Sequence, residues 1–225
     1  MSTTTATLTI GLGHYKRTGK DTFANFLLQA CRERDPHFTV GKRSFAYKLK
    51  QVCHDLYGWA GLREPEFYET PDGEQYREVV LPEIGKCPRQ IWIDMGTKAI
   101  RENVYEPTWL DYLLKGQHDL DVLVIPDVRF PNEAEAIRES GGVLVKVVRP
   151  GYGPGPDVAD RALLGYDGWD YVIGGDAGSS ESLSRLRVWA DRFACWLVGG
   201  GSRPEQTAED RAENLGVEAI AGLGA

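Results

Sequence analysis

The residues with the clearest capacity for chemistry stand near the start of the chain. A basic, turn-prone loop of His14, Tyr15, Lys16, Arg17 and Thr18 leads into Gly19 and Lys20. A glycine lets the backbone approach an anion, and a lysine beside it adds a point charge. A helix that begins there offers unpaired N–H groups and the positive end of a dipole. Together these features suit a polyphosphate. The spacing approximates G-x-x-x-x-G-K-[ST] with two differences. His14 holds the first glycine position, with Gly13 one residue early, and Asp21 replaces the hydroxyl residue that usually meets magnesium, with Thr22 next. A plain glycine turn before an ordinary helix is the bland alternative, and the flanking strand and helix patterns argue against it.

A second candidate is Asp127, delivered by the apolar run Asp121 to Pro126. A carboxylate at the end of a buried strand is what a second magnesium-site ligand requires. Phosphoryl transfer depends on positioning and on neutralising charge around the moving group. Lys20, magnesium and arginines would supply that. Arginine suits phosphate because its planar fork bonds two oxygens at once. Arg17, Arg89, Arg129, Arg149 and Arg161 are the candidates, and spacing alone does not choose among them.

The elements that must position these groups follow from periodicity. Leu8 to Ile10 reads as a strand, and Phe23, Phe26, Leu27, Ala30 and Cys31 as one face of a helix. Phe38 to Phe45 predicts a second strand, and Ala46 to about Trp59 a second helix. Residues 61–87 hold prolines and glycines without a period and are expected to form an insertion or lid, its acids a solvated surface. Pro88 and Pro107 each open a helix, as proline can in a first turn. Asp121 to Pro126 and Val143 to Val148 are near-continuous apolar runs, expected of strands buried on both faces. Pro131 to Ser140 lies between them as a helix. Tyr171 to Ile173 predicts a last strand. A closing amphipathic helix then carries Leu183, Leu186, Trp189, Phe193 and Trp196, its tryptophans in the core. Alternation of this kind means an α/β three-layer sandwich with a parallel sheet. Residues 1–198 are expected to form the domain, and residues 199–225 a glycine-rich linker and tail.

Composition narrows the class. The 225 residues are 42% hydrophobic and 26% charged, ordinary for one folded domain with an insertion. A net charge of −7 argues against a coat for duplex nucleic acid, while the local Lys16-Arg17-Lys20 and Lys42-Arg43 clusters suit a small anionic ligand. Neither a membrane span nor a signal peptide is expected, so a cytoplasmic protein is. Cys31, Cys53, Cys87 and Cys195 form no C-x-x-C pair and read as reduced thiols; Cys31, Cys53 and Cys195 sit in apolar helical patterns as core residues.

On these residues the chain resembles the deoxynucleoside monophosphate kinases of tailed bacteriophages. The matching signatures are K-R-T-G-K-D-T at Lys16 to Thr22, F-A-x-x-L-K at Phe45 to Lys50, and P-R-Q with M-G-T between Pro88 and Thr97. Trp109 follows, then D-V-R-F-P-N-E-A-E-A at Asp127 to Ala136 and G-G-V-L-V-K-V-V-R-P at Gly141 to Pro150. The resemblance implies a P-loop fold of the nucleoside monophosphate kinase type. It implies transfer of a phosphoryl group from ATP to a dNMP with magnesium, and it leaves a homodimer open. By resemblance Arg17, Thr18, Gly19, Lys20, Asp21 and Thr22 hold ATP, with Asp21 and Thr22 toward the metal and Arg17, Lys20 and Asp127 at the transferred group. Lys16 would face the acceptor phosphate, and Lys50, Arg89, Gln90, Trp109, Asp127 and Arg129 would line the dNMP site. Trp109 reads equally as a core anchor.

Two departures stand out. The family usually carries Gln and Glu around its Leu-Gly-Thr, where this chain has Asp94 and Lys98. Many members have His-x-x-[ST]-Glu after the Arg-Pro, where Asp157 to Arg161 supplies neither His nor Glu. Animal-type phosphomevalonate kinases share the Asp after the lysine but give no reason for D-V-R-F-P-N-E. A nucleotide-binding module without acceptor chemistry is the third reading; Val128 beside Asp127, where an ATPase would place a glutamate, disfavours hydrolysis as the main task.

Overall fold

A computed structural model describes residues 7–116, 119–155, 158–174, 180–211 and 214. Residues 1–6, Asp157 and most of the tail beyond 211 lie outside them, and with them part of the leader, lid and tail expectations. The chain folds as two compact units: Ser44–Gly116, and the described residues before and after it.

In the flanking unit, β1 (Leu8–Gly13) leads into α1 (Lys20–Arg34) and β2 (Val40–Lys42). After Ser44–Gly116 come β3 (Val122–Val128), α6 (Pro131–Glu139), β4 (Val143–Val148), α7 (Val158–Arg161), β5 (Tyr171–Gly174) and α8 (Ser180–Gly199). Among the described residues five strands form one sheet, ordered β2-β3-β1-β4-β5, and every pairing is parallel. Neighbours of β1 are thus the later strands β3 and β4, so the order reverses beside it. Ligands of such sheets bind outside the strand C-termini at that reversal.

Strand side chains alternate between faces, and the alternation assigns the layers. Ile10 and Leu12 of β1 pack with Phe23 and Leu27 of α1 and with Phe193 of α8. Gly11, between them, faces the other way: a β-carbon there would lie 2.7 Å from Ile137 of α6. Helices α1 and α8 therefore cover one face and α6 the other, which is the sandwich expected. Phe23 and Phe193 meet edge to face with centroids 5.8 Å apart, an arrangement worth about 0.5–1.5 kcal/mol beyond its buried area.

Strand β3 is longer than its apolar run suggested. It continues through Pro126 and Asp127 to Val128. Gly11 pairs with Ile125 but Gly13 with Val128, so β3 carries one extra residue there. A bulge accommodates a proline that cannot donate to the ladder, and it re-aims the neighbouring side chain. β2 is shorter than expected, Val40–Lys42. In α8, Trp189 joins the core as expected, while Leu183 is exposed and Cys195 falls on the outward face. The expectation that Cys195 is a core thiol is therefore corrected. Burial pushes the Cys31 and Cys53 thiols up to about 11.

Beyond Gly199 the chain returns to the free edge of β5. Gln206 accepts from Val172 N (2.9 Å) and donates to Val172 O (2.6 Å), and Tyr171 donates to Pro204 O (2.8 Å). Arg211 Nη2 donates to Trp169 O (2.8 Å) and Asn214 Nδ2 to Val172 O (3.1 Å).

The Ser44–Gly116 unit holds α2 (Phe45–Tyr57), α3 (Pro71–Glu74), α4 (Pro88–Ile93) and α5 (Thr108–Lys115), with short 3-10 turns at Gly58–Ala60, Pro65–Glu69 and Gln75–Glu78. Leu49, Cys53, Leu62, Tyr68 and Ile91 form its core, and Trp92, Met95 and Trp109 pack against it. Helix α4 runs into a π-helical stretch, Asp94–Arg101, instead of continuing as α-helix. Gly96 packs closely on Leu49 there: a β-carbon would lie 2.4 Å from Leu49 Cδ2, so the leucine would have to shift.

Candidate active site

The loop that joins β1 to α1 carries the glycine-lysine run. Gly19 takes φ 104, a left-handed conformation that favours glycine, and caps α1 without a side-chain hydrogen bond to the first-turn amides. Leu186 of α8 would stand 3.1 Å from a β-carbon at Gly19. His14 (φ 102) and Arg17 (φ 62) are also left-handed although neither is glycine. Each such residue costs about 1–3 kcal/mol, and such strain collects at functional sites. Arg149, just after β4, braces the turn: Nη1 donates to Arg17 O (3.3 Å), and the guanidinium stacks 4.6 Å from the Tyr152 ring centre. Thr18 is buried and commits its hydroxyl to Tyr15 O (3.1 Å). The Arg17 side chain is exposed.

Lys20 curls back into the loop, donating from Nζ to His14 O (3.0 Å) and to Tyr15 O. Its pKa is lowered from 10.5 to about 8. Burial is the main cause, followed by repulsion from Arg129; Asp21, Asp127 and Asp160 pull it back up. The loop lysine, the strand-end carboxylate and Arg129 are therefore neighbours within one electrostatic site.

The D-V-R-F-P-N-E run has a local explanation. Pro131 starts α6, and Glu133 Oε2 accepts from Arg129 N (2.8 Å) and Phe130 N (3.1 Å), which fixes the backbone that carries Arg129. Arg129 Nη1 then donates to Asp160 Oδ1 (2.9 Å), and Lys16 Nζ stands 2.8 Å from Asp160 Oδ2 as an ion pair. Sequence reasoning passed over Asp160 inside the Asp157 to Arg161 segment; its partners lie far along the chain and no local pattern marks it. Asp21 is exposed and pairs with Lys42, 3.1 Å away, and Lys42 also donates to Asn25 (3.2 Å).

The remaining expected residues belong to the Ser44–Gly116 unit. Lys50 pairs with Glu69 and lies 5.1 Å above the Trp92 ring; Arg89 pairs with Glu78. Gln90 accepts from Cys87 N (3.0 Å) and so caps α4. Trp109 donates to Gly96 O (3.1 Å), which ties it to the π-helical stretch that carries M-G-T. The residues that stand where the family has Gln and Glu meet: Lys98 Nζ donates to Asp94 Oδ1 (2.7 Å), and Lys86 takes the other oxygen (2.6 Å). These hydrogen bonds hold the Asp94 carboxyl down at about 2.

A parallel sheet with this order, a glycine-lysine loop into α1 and an acid at the end of the adjacent strand define a P-loop phosphotransferase. No family model matches the chain. It is 30% identical over 175 residues to a protein of Acanthamoeba polyphaga mimivirus named "Putative deoxynucleotide monophosphate kinase", covering 70% of this chain and 84% of that one. It is 43% identical over 132 residues to the deoxynucleoside-5'-monophosphate kinase of Escherichia phage T5, and 31% over 104 residues to the deoxynucleotide monophosphate kinase of Enterobacteria phage T4. These matches span 53% and 43% of the two phage proteins. The chain belongs to the deoxynucleotide monophosphate kinase family.

Proposed function

We propose that the protein transfers the terminal phosphoryl group of ATP to a deoxynucleoside 5'-monophosphate, giving a dNDP. The observation that carries this reading is the grouping of Lys20, Asp127 and Arg129 at the strand ends beside the phosphate loop. A phosphate oxygen of the dNMP attacks the γ-phosphorus, the bond to the bridging oxygen of ADP breaks, and ADP leaves. Lys20 neutralises charge on the transferred group, and backbone amides from Arg17 to Thr22 cradle the ATP phosphates. Arg129 and Lys16 are assigned to the acceptor phosphate. Lys50, Arg89, Gln90 and Trp109 are proposed as dNMP contacts on the family resemblance alone.

Magnesium fits the donor chemistry available. It needs only one or two carboxylates when substrate phosphates and water complete its shell, and Asp127 provides one. Among the described residues no group of three or more His, Cys, Asp or Glu side chains that could hold a metal occurs. Asp21 would have to exchange Lys42 for it, and Thr22 would add a hydroxyl. Bound there, the ion would neutralise negative charge on the phosphates.

The test is incubation with magnesium, ATP and, separately, dAMP, dGMP, dTMP, dCMP and 5-hydroxymethyl-dCMP, followed by separation of the products. A dNDP from at least one is expected. Folded protein that makes none of them, or that phosphorylates phosphomevalonate instead, would overturn the reading.

A further inference from the structure

Asp160 has an environment unlike that of its partners. Its side chain is 2% exposed, whereas those of Lys16 and Arg129 are 50% and 37% exposed. A surface ion pair would leave all three in water. Here the carboxylate is the buried hub and the cations reach out from it. Gly155, in the loop after β4, packs directly on the hub, since a β-carbon there would lie 2.4 Å from Asp160 Oδ2. Three chain segments therefore meet at one carboxylate: the phosphate loop through Lys16, the β3 end through Arg129 and the loop before α7 through Gly155.

We infer that Asp160 is a positioning residue for the acceptor phosphate, holding the Arg129 guanidinium and the Lys16 ammonium side by side where that phosphate would dock. The inference rests on the dNMP kinase reading proposed above. A guanidinium has five N–H donors in a fixed fork. Arg129 bonds Asp160 through Nη1, and that bond fixes the plane of the whole fork. The carboxylate also offsets one of the two positive charges, so the pair can stand side by side without a ligand. A purely stabilising ion pair is the competing explanation, and buried pairs are poor evidence for stability in themselves.

Asp160→Asn separates the two. An amide presents an acceptor on one side only, so it can satisfy Arg129 or Lys16 but turns N–H donors toward the other. The KM for the dNMP that the wild type turns over best is expected to rise about tenfold, the loss of one charge-assisted hydrogen bond. The KM for ATP is expected to stay within about twofold. Gly155→Ala provides a second route, because its methyl displaces the carboxylate without changing any charge, and the same split is expected. Thermal unfolding run alongside shows that each variant is folded. An unchanged or lowered dNMP KM in both variants, or equal weakening toward ATP and dNMP, overturns the inference. Wild-type protein that turns over no dNMP would instead remove the underlying reading, and that result is known before any variant is made.

Discussion

The indole of Trp169 closes over Gly13 so tightly that a β-carbon on the glycine would lie 2.2 Å from ring carbon Cη2. Trp169 is buried and its Nε1 donates to Tyr166 O (3.0 Å), so the ring cannot retreat without losing that bond. The last residue of β1, immediately before the phosphate loop, is thus seated by a residue near β5. Gly13→Ala should cost about 1–3 kcal/mol, the usual penalty of overpacking. It should also reduce turnover by moving the loop. Urea unfolding and steady-state rates check this, and Trp169→Phe in the same chain should restore part of both. An alanine variant as stable as the parent would contradict the packing described.

Lys20 links stability to pH. Its folded pKa, about 8, lies below the ordinary 10.5, so the folded protein carries the cost of a buried cation below pH 8. Between about 8 and 10.5 the folded state gives up its proton before the unfolded state does, and stability attributable to Lys20 rises with pH. The gap corresponds to about 3 kcal/mol at most. Lys20→Met should therefore abolish turnover yet unfold no more easily than the parent at neutral pH. The difference between the two should shrink as pH rises from 8 to 10.5, which unfolding curves at several pH values would reveal.

The same group should shape activity. An uncharged Lys20 has no attraction for phosphate, so kcat/KM for ATP should fall as pH rises through about 8. In the nucleotide complex the phosphates favour the ammonium, and kcat should hold to higher pH. A kcat/KM profile flat from 7 to 9.5 would argue that Lys20 does not meet ATP.

Arg129→Ala should raise the KM for dNMP by about tenfold to a hundredfold, the range for a lost hydrogen bond to a charged group, with a much smaller change for ATP. Initial-rate measurements varying each substrate in turn decide it. Comparable losses toward both substrates would refute the acceptor-side assignment.

Asp127 and Asp21 can be ranked by magnesium titration. Both carboxylates act on Lys20, but Asp127 lies within the bulge at the end of a buried strand, whereas Asp21 is exposed and paired with Lys42. Asp127→Asn should raise the magnesium needed for half-maximal turnover more than Asp21→Asn does. The reverse order would move the metal toward the start of α1.

Local patterns carried the layers of the fold but not its joints. Val143 to Val148 is apolar but for Lys146, and buried along its whole length because both faces of β4 are covered, so its bounds could be read directly. Pro126 looked like the end of β3 because proline breaks a ladder; the bulge that admits it depends on the pairing with β1. The π-helical stretch from Asp94 was illegible, since spacing of apolar residues does not separate its hydrogen-bond pattern from that of an α-helix. Lys20, Asp127 and Arg129 were legible because each lies in a run of recognisable local chemistry. Asp160 and Trp169 were not, because their meaning comes from Arg129, Lys16 and Gly13, which only the folded chain brings to them.

The segment around Gln206 bonds both the amide and the carbonyl of Val172, occupying the sheet's outer rim with side-chain groups in place of another strand. A shortened version ending at the glycine run after α8 would bare that rim as a template for a neighbouring molecule. Such a product would be expected to clump while its catalytic groups remained intact, so loss of activity on trimming would reflect association between copies and not a missing reactive side chain.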